Sequence, residues 1–264
     1  MRLSLPAILA AFVGALVLRL GIAPLIEIDA FSVPAAVSRL IELAAAAGVI
    51  AAALSFERDD PPLRPWAALA LGIALVPLAR LALFAQWMVG DAKVGHILLI
   101  LSNIVSIAAI AGFRRVLVST GLTPEWTPSA RSGAGMVFFS IAAAVLGLVA
   151  FQVVELLPLH RHSAGDLIAA GVSLISTACD GILCAGGILL VWLVRPMLGG
   201  SVALPYVLVA FGGAVFLIVD IFHVLLQTTT QDQFGSPLPI AVGTIGWVAL
   251  GLAGVSQRLL VRAA

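Results

Sequence analysis

An all-α integral membrane fold of eight transmembrane helices is what this sequence predicts, and three observations predict it. The first is composition: 62% of the 264 residues are hydrophobic and 10% are charged, where soluble domains carry about 25% charged residues. Mean hydropathy is +1.17, so lipid is the solvent for most of this surface. The second is length. A bilayer core takes about 20 apolar residues per helix, and eight apolar runs of that size can be read at 4–26, 35–56, 65–89, 94–118, 133–157, 167–194, 203–227 and 238–260. The third is where the polar residues fall. Prolines and charges gather in short connections such as Glu57-Arg58-Asp59-Asp60-Pro61-Pro62, Thr123-Pro124-Glu125-Trp126-Thr127-Pro128 and His160-Arg161-His162. None of these connections is long enough to fold as a soluble domain.

The same counts exclude some classes. A net charge of +1, with no basic run anywhere, leaves no footprint for nucleic acid. The two cysteines, Cys179 and Cys184, both fall inside an apolar run, so they form neither a disulfide framework nor a zinc ribbon. The expected partners are the lipid bilayer and a small solute or ion.

Each run has its own justification. The first follows Met1-Arg2, is interrupted by Arg19 and resumes through Ile26; no small-x-small cleavage site follows it, so it reads as a retained span rather than a signal peptide. The second carries Arg39 and Glu42, and the third Arg80. On the fourth, His96 and Asn103 are seven residues apart, with Ser106 one turn on. On the fifth, Gln152 and Glu155 share a face near one end. The sixth presents Ser173, Thr177, Asp180, Cys184 and Gly187 in steps of four, three, four and three, a polar-to-small stripe marking a helix seam or a cavity wall. On the seventh, Gly213, Asp220 and Gln227 recur every seven residues, with His223 one turn beyond Asp220. Glycine pairs such as Gly186-Gly187 sit mid-span and serve close helix packing rather than phosphate binding.

Arginine asymmetry sets an orientation. Arg2, Arg58, Arg64, Arg114, Arg115, Arg131, Arg195, Arg258 and Arg262 fall on one side, while Lys93, Arg161 and Arg39 fall on the other. Both termini are therefore expected in the cytoplasm, and the localisation expected is the cell (inner) membrane. A weak internal repeat accompanies this. Asn103 to Val118 runs alongside Gly246 to Val261, so that Arg115 matches Arg258, Glu42 falls opposite Asp180 and Arg80 opposite Asp220. The chain then divides into two like-oriented four-helix halves, 1–118 and 131–264.

An acid at the centre of a spanning helix is disfavoured by roughly 2.5–3.5 kcal/mol, so Asp180 and Asp220 face a partner or water, not lipid. Counting down from the outer helix ends puts Asp180 near the midplane. The same count puts Arg19, Glu42, Arg80 and Asp220 very roughly 10–17 Å below the outer ends. All four histidines lie on that side, and the cytoplasmic half reads as dry. The candidate polar cavity is thus Asp180, Asp220, His223, Arg80, Glu42, Asn103, Thr177 and Ser173.

Three function classes follow. The leading one is a carrier or permeation-type protein for a small solute, ion or proton. The second is a non-catalytic sensor or assembly subunit, in which three cations (Arg19, Arg39, Arg80) pair with three acids (Glu42, Asp180, Asp220) and hold the bundle together. A membrane enzyme or a metal or haem protein comes third. His96, His223 and Asp220 are weak metal candidates because Asp220-x-x-His223 shares one helix face, but no HxxxH, HExxH or ExxH motif occurs. No GxSxG elbow accompanies Ser173, Ser176 or Thr177. Neither a cofactor nor a catalytic residue is expected.

Overall fold

The computed structural model of the chain describes residues 3–22, 33–90, 92–122, 128–156, 164–198, 200–229 and 237–263. Helix dominates them. An apolar chain in lipid has no water to satisfy its backbone N–H and C=O groups, so each segment must pair them internally. Eight α-helices follow one another: α1 Leu5–Leu16, α2 Val33–Ala53, α3 Leu63–Phe84, α4 Val94–Ser119, α5 Pro128–Phe151, α6 Ala164–Val194, α7 Leu204–Thr229 and α8 Pro237–Val261. Among the described residues six segments, against the eight spans expected from sequence, are long and apolar enough to cross a bilayer, and all lie from the start of α3 onward. α1 belongs to a shorter apolar segment, Leu5–Leu20, and α2 carries Arg39 and Glu42 in its first half. An antiparallel ribbon of two residues a side, Met88–Val89 with Ala92–Lys93, precedes α4.

The helices close on themselves. α2 packs on α3, α3 on α4, α4 on α6, α6 on α7, α7 on α8, and α8 returns to α2. α1 leans on α8 and α5 on α6, so both lie outside this cycle of six. Both outlying helices also end alike. α1 runs into a π-helical turn at Val17–Ile22 and α5 into one at Gln152–Leu156. Such turns widen the helix and recur at functional sites; here they place Arg19 and Gln152 among the polar side chains described below.

The apolar core sits at the arginine-rich end. Trp66 at the start of α3, Phe113 near the end of α4 and Tyr206 at the start of α7 stack edge to face, with ring centroids 5.1 Å and 5.6 Å apart. Leu190, Val194, Ala249 and Ala253 close round them with no exposed surface. Arg19, Glu42, Gln152 and Thr177 are buried towards the opposite end, while Ser256, which donates to the Ala253 carbonyl, is buried at this one.

Small residues set the helix spacing, as they must where lipid gives helices no hydrophobic reason to associate. At the α2–α8 crossing a methyl group on Gly48 would stand 2.7 Å from the Gly251 carbonyl oxygen, and one on Gly254 would collide with the Gly48 carbonyl. The obstacle is backbone, which cannot rotate away. Gly48→Val is therefore expected to cost about 1–3 kcal/mol, lowering the melting temperature in detergent by roughly 5 °C. Gly14→Val is the control, because nothing lies within 4 Å of that position. An equal response in both would remove the seam from the account of stability.

Candidate functional site

Two polar clusters form between helices, one acidic and one basic. The acidic one lies between α6 and α7. Thr177 and Asp180, three residues apart, share the face of α6 that meets α7, and further along the same face Gly187 packs against Ala210. Asp180 and Asp220 hydrogen-bond each other across this seam. Thr177, 1% exposed, donates its hydroxyl proton to Asp220 and accepts from Gln152 Nε2 at 3.2 Å. A chain of hydrogen bonds thus leads from the π-helical turn after α5, through α6, to the acid pair. Beside it, Asn103 Nδ2 of α4 donates to Ser176 Oγ at 3.2 Å.

The donor inventory gives this cluster its chemistry. Ionised carboxylates only accept, so a hydrogen bond between two of them requires a proton on one. No ion pair to either aspartate is found among the described residues; the pairs there all involve Glu42. Asp220 Oδ2 and Gln152 Oε1 are buried and have no hydrogen-bond partner among the described residues. Such orphaned acceptors are uncommon in interiors. The site can hold a proton and has open acceptors for a further donor or a cation.

The basic cluster lies between α2, α3 and the π-helical turn after α1. Arg39 and Glu42 are one turn apart on α2, the spacing at which opposite charges meet. Arg39 Nη1 donates to both Glu42 carboxylate oxygens at 2.7 Å, and Arg80 Nε approaches Glu42 Oε1 at 3.3 Å. Glu42 is 1% exposed. Arg19, 8% exposed, lies within electrostatic reach of both Arg39 and Glu42, yet its Nε has no hydrogen-bond partner among the described residues.

The cavity expected from sequence is therefore divided. Asp180, Asp220 and Thr177 come together, with Asn103 reaching the same helix; Glu42 and Arg80 belong to the other cluster. Three cations do not share themselves among three acids: all of them gather about Glu42, and the two aspartates face each other. Ser173 is exposed and stands off the buried part of the stripe. α6 and α7 meet where Gly187 packs against Ala210; Asp180 lies seven residues and Asp220 ten residues beyond that contact, near enough for the two carboxyl groups to meet. His96 lies in the first turn of α4, its Nδ1 buried without a partner among the described residues. The side chains of His223 and Glu155, and residues His160 and His162, lie outside the described residues. Among those described, no three of His, Cys, Asp and Glu gather closely enough to hold a metal.

Four participants stood outside the candidate cavity read from sequence: Arg19 and Arg39, expected as cations paired with the acids, and Gln152 and Ser176. The Arg39–Glu42 spacing was a readable signal for one of them. Gln152 and Ser176 had only their polarity within an apolar run to mark them. The chain matches no family model, no curated protein and no solved structure.

Proposed function

We propose that the protein is a carrier or permeation-type protein of the cell membrane, with eight spans in two like-oriented halves, both termini cytoplasmic, and Asp180–Asp220 as the group that takes up a proton or small cation. The observation carrying this reading is the acid pair itself: two carboxyl groups from separate helices, hydrogen-bonded to each other in an apolar interior with no counter-cation among the described residues. A pair kept only for stability gains more from an apolar or oppositely charged neighbour, and intramembrane acids commonly mark ion and proton pathways.

The packing supports the two-halves reading. Taking α1–α4 onto α5–α8 turns the α2–α3, α3–α4 and α2–α8 contacts into the α6–α7, α7–α8 and α6–α4 contacts, all of which occur. The two π-helical turns exchange under the same operation. The offset matching Glu42 to Asp180 also matches Arg39 to Thr177. The acidic and basic clusters are then equivalent places in the two halves, and sites between parallel halves are a known transporter arrangement.

The test is flux. Proteoliposomes carrying an internal pH-sensitive dye should show proton uptake under an imposed gradient, about a hundredfold faster than Asp180→Asn vesicles, the lower end of what one general acid–base group contributes. Absence of any flux in wild type, with cation gradients tried in the same vesicles, sinks the carrier reading and leaves the charges as helix ties.

A further inference from the structure

We propose that the basic cluster of Arg19, Arg39 and Arg80 is a binding site for an oxyanion of the phosphate class, held against the three guanidinia beside Glu42. The argument is independent of the carrier reading, since it uses none of the residues of the acid pair.

Charge comes first. Three guanidinia against one carboxylate leave two positive charges uncompensated among the described residues, inside helices otherwise made of apolar side chains. Uncompensated cations at such a depth are disfavoured unless an anion reaches them. Donor capacity comes second. Glu42 already accepts from one Arg39 nitrogen on both oxygens and from Arg80 Nε, while each guanidinium offers several N–H groups in a planar fork suited to a tetrahedral oxyanion. Many of these donors have no acceptor in Glu42.

Arg19 supplies the observation that points to a ligand. It is more than nine-tenths buried, its Nε hydrogen has no partner among the described residues, and the π-helical turn that carries it touches α2 and α8. A buried N–H left unpaired keeps the full penalty of its desolvation, which a bound oxyanion removes. Access is also provided. The side chains of Arg39 and Arg80 are 38% and 45% exposed, so the cluster is closed behind by Glu42 and Arg19 and open on the arginine forks. An oxyanion can come there from solution or on a lipid headgroup, since both present the same phosphate oxygens.

The test uses the full chain in nanodiscs, with thermal unfolding as readout. In phosphatidylcholine discs, inorganic phosphate is titrated against chloride at equal ionic strength; in a second arm, phosphatidylglycerol replaces part of the lipid without added phosphate. Wild type should gain about 5 °C at saturation in one arm or both, the rise expected for a ligand at many times its dissociation constant. A response to inorganic phosphate identifies a free anion, and a response to phosphatidylglycerol alone a lipid headgroup. Arg19→Gln and Arg80→Gln should each lose most of the gain, and Arg19→Lys should keep part of it. Should Arg19→Gln fail to fold, the half-exposed Arg80→Gln carries the test. No gain in either arm, or a gain unchanged in Arg80→Gln, overturns the proposal. Glu27 and Asp29 lie outside the described residues, so Glu27→Gln and Asp29→Asn are measured alongside. If wild type is silent and either variant acquires the response, the counter-charge belongs to the chain itself and the oxyanion site is rejected.

Discussion

Replacing Glu42 by Gln is expected to lower stability by about 3–5 kcal/mol, the cost of removing one partner of a buried ion pair and leaving the other uncompensated. Every ion pair among the described residues depends on this carboxylate. It is 1% exposed, so water cannot replace it. The glutamine keeps the shape and one acceptor but none of the charge, and three arginines are left facing one another. For a chain of this size each kcal/mol moves the melting temperature by about 2–4 °C, so a fall of roughly 10 °C in detergent is expected. Glu42→Gln combined with Arg80→Gln should recover part of the loss, because one cation is removed with the anion. A Tm within about 2 °C of wild type for Glu42→Gln would show that the arginines are balanced elsewhere.

The second large effect is expected on function with little on folding. Asp220→Asn swaps a carboxyl group that needs a proton to bond its neighbour for an amide that carries its own N–H donors. The amide nitrogen can donate to Asp180 and the amide oxygen can still accept from Thr177, so the seam between α6 and α7 keeps its hydrogen bonds. Melting temperature should stay within about 3 °C of wild type, a change of at most about 1 kcal/mol. Proton flux should fall by at least the roughly hundredfold expected of Asp180→Asn. Asp220→Ala is the contrast, since it strands both Thr177 and Asp180 and should cost about 1–3 kcal/mol. A large loss of stability in Asp220→Asn would mean that a cation balances this acid. That is the outcome to expect if the three cations and three acids were paired one to one, and the geometry instead places that dependence on Glu42.

Residue types alone determined the class of this protein and the position of its helices. Mean hydropathy and the length of the apolar runs leave the chain no aqueous fold, and in lipid only internally bonded helices satisfy the backbone. Hence the runs at 94–118, 167–194 and 238–260 coincide closely with α4, α6 and α8. The place of each polar residue along its helix was legible in the same way. Spacing also carried part of each cluster, through Arg39 with Glu42 and Thr177 with Asp180. The partners across helices could not be read, because helices that are apolar on most faces do not announce their rotation, and lipid accepts any of those faces equally. Tertiary packing decided that rotation. The backbone contacts of Gly48 with Gly251 and Gly254, and of Gly187 with Ala210, fix how closely and at what angle the helices cross. Those crossings bring Arg19, Arg39 and Arg80 to one carboxylate and turn Asp180 towards Asp220, a division of charge that no sequence interval records.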